Sequence, residues 1–157
     1  MATKSPKPPK SKVKQFDELV AIMNSRGDKW FTKEELNDQF HTTVYHAHLE
    51  MNDLKLPIFV VIDDTAFSFI RIGVTLQGVE EQQIPAVLEH INGLNQRFKI
   101  SKYYISDQDH NVYIDISVPS TEFDFNAGII PDLLKNVIVP HLKDTHKALL
   151  DVVKGGN

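Results

Sequence analysis

Apolar side chains recur along this chain with two different periods, and the places where the period changes divide it into elements. Phe16, Leu19, Val20 and Met23 fall at i, i+3, i+4 and i+7, one stripe of a helix that stops at Gly27. Thr32, with Glu35 three residues on, has the form of a capping box. It predicts a short helix through Phe40, with Phe31 packed on Leu36 as a staple. From Thr43 the period drops to two. Tyr45, Ala47, Leu49 and Met51 alternate with Val44, His46, His48 and Glu50, which reads as a half-buried strand. Ile58 to Ile62 is continuously apolar between Pro57 and Asp63, as in a strand buried on both faces. After the turn residues Asp63-Asp64-Thr65 the chain returns from Phe67 to Leu76. Ile70, Ile72, Val74 and Leu76 line one face there, and Phe69, Arg71, Gly73 and Thr75 the other.

The second half repeats this logic. Ile84, Val87, Leu88, Ile91, Leu94 and Phe98 mark an amphipathic helix with Pro85 in its first turn, where a missing N–H costs nothing. Ile100–Ser106, the polar run Asp107–Asn111 and Val112–Val118 predict a hairpin with Val112, Ile114, Ile116 and Val118 inward. A long last helix carries Leu133, Leu134, Val137, Ile138, Leu142, Leu149, Val152 and Val153. Pro131 fits its first turn, and Pro140 should kink or split it. The order α-(α)-β-β-β-α-β-β-α predicts an α+β domain over residues 15–154 with a mostly antiparallel sheet.

Ile58–Ile62 is apolar on both faces, Phe69 lies opposite Ile70 and Ile72, and Tyr103 and Tyr104 put bulk on both faces of another strand. A sheet covered by helices on one side only has no need of this. Either the Phe16–Met23 helix covers the second face or a partner does.

Charge changes the picture at one end. Lys4, Lys7, Lys10, Lys12 and Lys14 precede the first acidic residue, and Pro6, Pro8 and Pro9 lie among them, so residues 1–14 read as a disordered basic tail. Setting those lysines aside leaves 12 basic against 21 acidic residues, a body near −9 that should repel nucleic acid outside the tail. No stretch approaches the ~20 apolar residues of a membrane span. The absence of cysteine removes disulfides, thiolate zinc sites and cysteine nucleophiles together, and a reducing, cytoplasmic setting is expected.

Candidate chemistry is sparse. His46, His48 and Glu50, at i, i+2 and i+4 of one strand, project to the same face, and two imidazoles with a carboxylate are a donor set for a divalent metal. The same alternation also describes the solvent face of an ordinary half-buried strand. Asp63-Asp64 and Asp107/Asp109 fit turns, and Glu80-Glu81 fits the positive end of a helix. His141 and His146, five residues apart and so about 140° round a helix, do not share a face. No P-loop, G-x-G-x-x-G, G-x-S-x-G or H-E-x-x-H occurs, so no catalytic residue and no cofactor are expected.

Over residues 68–153 the strand FIRIGVTL, the helix with Ile91-Asn92-Gly93-Leu94-Asn95, the strand KYYIS, the turn DQDHN, then VYIDISV and a long closing helix resemble the YbjN-like family of bacterial sensory-regulator-like proteins, within the type III secretion chaperone-like fold. The usual turn glycine of that family is replaced here by His110-Asn111. The resemblance implies a protein-binding domain, frequently a homodimer, and carries no catalytic residues with it. The expectation is a non-enzymatic protein-binding or regulatory module, chaperone-like or sensory-regulator-like. The competing expectations are a metal-binding enzyme or sensor using His46, His48 and Glu50, and weak attachment to nucleic acid or anionic lipid through the tail.

Overall fold

A computed structural model describes residues 7–155. Six antiparallel strands form one sheet: β1 (Thr32–Glu35), β2 (Thr43–Met51), β3 (Leu54–Ile62), β4 (Phe67–Gly73), β5 (Lys102–Ile105) and β6 (Val112–Pro119). Their spatial order is β1-β2-β3-β4-β6-β5. Around the sheet lie α1 (Lys12–Ser25), α2 (Ile84–Arg97) and a last helical run made of α3 (Ile129–Leu133), a π-turn (Leu134–Ile138) and α4 (Val139–Val153). The chain is α+β with an antiparallel sheet, as its periodicity predicts.

Register follows from turn chemistry. Asn52 and Asp53 both adopt positive φ, 48° and 62°, the pair that a two-residue type I′ hairpin requires. They place Met51 opposite Leu54 and, further along, Tyr45 opposite Val60. The cross-sheet row Tyr45–Val60–Ile70–Ile116 is buried throughout, with no member more than 1% exposed. Pro57 lies inside β3 rather than before it. It has no N–H to give to β4, and the β3–β4 ladder ends one residue earlier, at Ile58↔Ile72.

Three expectations are corrected. Residues 32–35 form a strand, not a capped helix. All four side chains are exposed, and what holds them is backbone pairing with Thr43–His46. The ordered chain begins before residue 15: Ser11 caps α1, whose first residue Lys12 is buried, with its Nζ donating to the Thr65 carbonyl and to Ser68 Oγ. Residues 1–6 of the expected tail lie outside the described residues. Leu76 does not face the core; β4 stops at Gly73 and Leu76 is exposed.

All the helices cover the same face. Phe16 of α1 packs edge-on against Tyr45, ring centroids 4.6 Å apart, and Phe31 closes its other side. Val87, Ile91 and Leu94 of α2 and Leu142 and Leu149 of α4 complete the core over Ile58, Ile72 and Ile114. The α1 helix therefore does not shield the second face of the sheet.

Candidate functional site

Two surfaces follow from this arrangement. The first is the β2 edge. β1 pairs with β2 only as far as Thr32↔His46. Before Thr32 the chain makes no further ladder pairing, so past His46 no strand flanks β2 on that side among the described residues. Met51 and Leu54 flank a two-residue hairpin turn and are a hydrogen-bonded pair, so alternation turns the N–H and C=O of His48 and Glu50 to the free side. Beside this edge lies a cleft of about 540 Å3 with an apolar lining from Trp30, Leu49, Ile58, Leu134, Ile138 and Val139. Lys29, Lys55 and Lys135 stand around it, with Glu50 as the one acid.

Pro140 shapes the far wall. A proline at the start of α4 has no N–H, and its ring would clash with a carbonyl four residues back in an unbroken α-helix. The preceding turn opens to π geometry, with Val139 N–H bonding back to Leu134 O, and the widened turn presents Leu134, Lys135, Ile138 and Val139 to the cleft.

The second surface is the uncovered sheet face. Pairing places His46, Phe59, Arg71, Asp115 and Lys102 in one row across β2, β3, β4, β6 and β5. Arg71 donates twice to Asp115, Nε to Oδ1 and Nη2 to Oδ2, each at 2.9 Å. The ring centroids of Phe69, Tyr104 and Tyr113 lie 5.1, 5.7 and 5.9 Å from its guanidinium carbon. Packing among these rings pushes the Tyr104 phenol up to about 12, chiefly through burial. The Tyr113 hydroxyl donates to Asp109 at 2.6 Å, which holds that carboxyl below its usual range.

The expected metal donors are not gathered. His46 Nε2 meets Glu34 Oε2 at 2.6 Å, while His48 and Glu50 border the cleft. Among the described residues no three His, Asp or Glu side chains converge in a way that would hold a metal ion. The paired acids make turns: Asp63 accepts from the Thr65 N–H and hydroxyl, Asp64 meets His41, and Asp109 accepts from the Asn111 N–H.

Other groups with displaced pKa values are engaged in structural contacts. His146 is fully buried, with Nε2 at 2.7 Å from the Val74 carbonyl and Nδ1 at 2.9 Å from Asn52 Nδ2. Nε2 therefore carries the proton, and burial holds the ring below its ordinary value. His141 stacks on Phe98, centroids 3.7 Å apart, and meets the Tyr103 hydroxyl, whose own pKa burial raises to about 12. Burial also lowers Lys12.

Compared with protein-family models, curated proteins and solved structures, the chain matches none. No helix is long and apolar enough to cross a membrane among the described residues. The cleft is the part of the site that periodicity does not reveal. Leu49 reads as an ordinary inward residue, and Trp30, next to Phe31, belongs to none of the apolar stripes. Pro140 was the available signal, since a proline inside an apolar stripe marks where the helix must change.

Proposed function

We propose that this chain is a non-enzymatic, cytoplasmic protein-binding module that takes an extended polypeptide segment along the free edge of β2. The observation that carries this is the coincidence of unpaired strand edge and apolar cleft at His48–Glu50. A strand added there gains main-chain hydrogen bonds from His48 and Glu50, and every second side chain of the added segment enters the Trp30–Leu49–Leu134–Ile138 cleft. Three lysines against one glutamate favour a segment whose apolar anchor is flanked by acidic residues. The resemblance to YbjN-like and type III secretion chaperone-like proteins supports the same class of function. The titratable groups with displaced pKa values are engaged in structural contacts outside the cleft, which supports holding over catalysis.

Selection of a random peptide library on the full chain tests this. Enriched peptides should carry an apolar residue between acidic ones. Binding should fall about tenfold or more, the equivalent of about 1.4 kcal/mol, in two variants. One is His48→Pro, whose lost N–H faces the free side and leaves the β3 ladder intact; the other is the pair Lys29→Glu and Lys135→Glu. No enrichment, or peptides that bind folded His48→Pro as tightly as the parent, overturns the reading.

A further inference from the structure

The uncovered sheet face matches itself. Rotation by 180° about an axis parallel to the strands, lying over the gap between β3 and β4, exchanges β3 with β4, β2 with β6 and β1 with β5, and keeps each cross-sheet row on itself. In the central row it sets Phe59 over Arg71 of the second copy and His46 over Asp115. One row along, Val61 meets Phe69 and Val44 meets Ser117. On the other side, Pro57 meets Gly73, where a Cβ would already lie 3.1 Å from the neighbouring Pro57 ring within one chain, and His48 meets Tyr113. At Pro57 over Gly73 and Val44 over Ser117 large stands over small, and the His46 imidazole stands over the Asp115 carboxylate. The acidic side chain of Glu34 at the β1 edge comes over the β5 edge, which carries Lys102.

We propose that this face binds a second copy of the chain, giving a two-fold dimer of sheets packed face to face with their strands nearly aligned. Sheets so packed keep their strands within about 30° and about 10 Å apart, a spacing that side chains of this size fill. The alternative two-fold, across the strands, lays each strand over its own copy. Glu34 then meets the Glu34 edge and Lys102 the Lys102 edge, and like charge opposes it. The contact is isologous, as closed dimers require. Five inter-strand spacings of about 4.8 Å by strands about 20 Å long give roughly 500 Å2 of footprint, at the small end for specific interfaces, so the dimer dissociates on dilution.

The chain has no cysteine, which makes introduced ones unique. Val44 and Ser117 lie three strands apart in one copy and face each other across the proposed axis. An equimolar mixture of Val44→Cys and Ser117→Cys proteins, treated with a short bismaleimide, should yield a covalent dimer, and neither variant alone should. Sedimentation equilibrium of the parent chain should show mass rising from 17.9 kDa toward twice that value with concentration. Val61→Lys, beside the axis and on the outer face, should remain at the monomer mass with its circular dichroism unchanged. A parent chain that stays monomeric at near-millimolar concentration overturns the proposal. So does a covalent dimer formed by Val44→Cys alone, or one that forms equally in the mixture when Val61→Lys is added to both chains. Peptide binding at the β2 edge is read separately and can fail without affecting any of these results.

Discussion

Arg71 and Asp115 face each other across β4 and β6 as a planar, doubly hydrogen-bonded pair, and Asp115 is the more buried of the two, its side chain only 13% exposed. Hydrogen bonding to Asp115 raises the Arg71 pKa further above its already high value, so the guanidinium stays charged at every ordinary pH. Because the fork geometry is satisfied and three aromatic rings surround the guanidinium, the pair should contribute more than an open surface bridge. A double-mutant cycle with Arg71→Met and Asp115→Asn should return a coupling of about 1 kcal/mol, only weakly reduced by salt. Urea denaturation of the four proteins measures it, and coupling near zero would make the pair an incidental contact.

Phe16 carries the attachment of α1. It is fully buried between Tyr45 and Phe31, whereas Leu19, Val20 and Met23 on the same stripe are only half-buried. Phe16→Ala should therefore destabilise the chain by about 3–5 kcal/mol. Hydrogen exchange should show α1 amides losing protection before those of β3 and β6. Uniform loss across the chain would mean that α1 is not separable from the sheet.

The contrast between α1 and β1 shows what was legible in the sequence. Phe16 sits in a 3.6-residue stripe and β2, β3, β4 and β6 alternate, because a buried face imposes its period on the residues that line it. β1 buries nothing. Thr32-Lys33-Glu34-Glu35 is held by backbone pairing and by Lys33 bridging to Asp17, neither of which leaves an apolar trace, and its Thr-x-x-Glu spacing matches a helix cap. Lys12 is illegible for a related reason: its partners are a carbonyl at Thr65 and a hydroxyl at Ser68, more than 50 residues away. The surplus bulk at Phe59, Phe69 and Tyr104 was visible as a second apolar face. That α1 leaves this face open depends on tertiary packing alone. The cleft draws Trp30, Leu49, Leu134 and Ile138 from three separate stretches of chain, so no local window contains it.

Gly78 is required by a close approach, not by its own backbone angle. Val79 N–H bonds to the His110 carbonyl at 2.8 Å, which draws this loop against the β5–β6 turn. A methyl group at Gly78 would lie 2.6 Å from the Asp109 carbonyl oxygen. Gly78→Ala should cost about 1–3 kcal/mol, the range for overpacking, and should shift the amide resonances of Asp109–Asn111 more than those of β2. Stability equal to the parent would show that the two loops separate freely.

His146 makes the fold sensitive to acid. Its Nε2–H is committed to Val74 O and its Nδ1 lone pair to Asn52, so a second proton must displace the Asn52 amide inside the core. Burial places the folded pKa below the ordinary 6.5, and the same holds for His141 stacked on Phe98. The unfolded chain then binds protons that the folded chain refuses. The histidine contribution is fully present above pH 6.5 and is lost as the pH falls through that value toward the folded pKa. His41 has the opposite sign, since Asp64 raises its pKa, but its side chain is 80% exposed and solvent screens the effect. Urea midpoints measured from pH 8 down to pH 5 should therefore decline, with the steepest change below 6.5. The variant His146→Gln should be less stable than the parent at pH 8 yet show a flatter decline. A parent midpoint that holds or rises on acidification would mean that neither ring resists protonation in the folded chain.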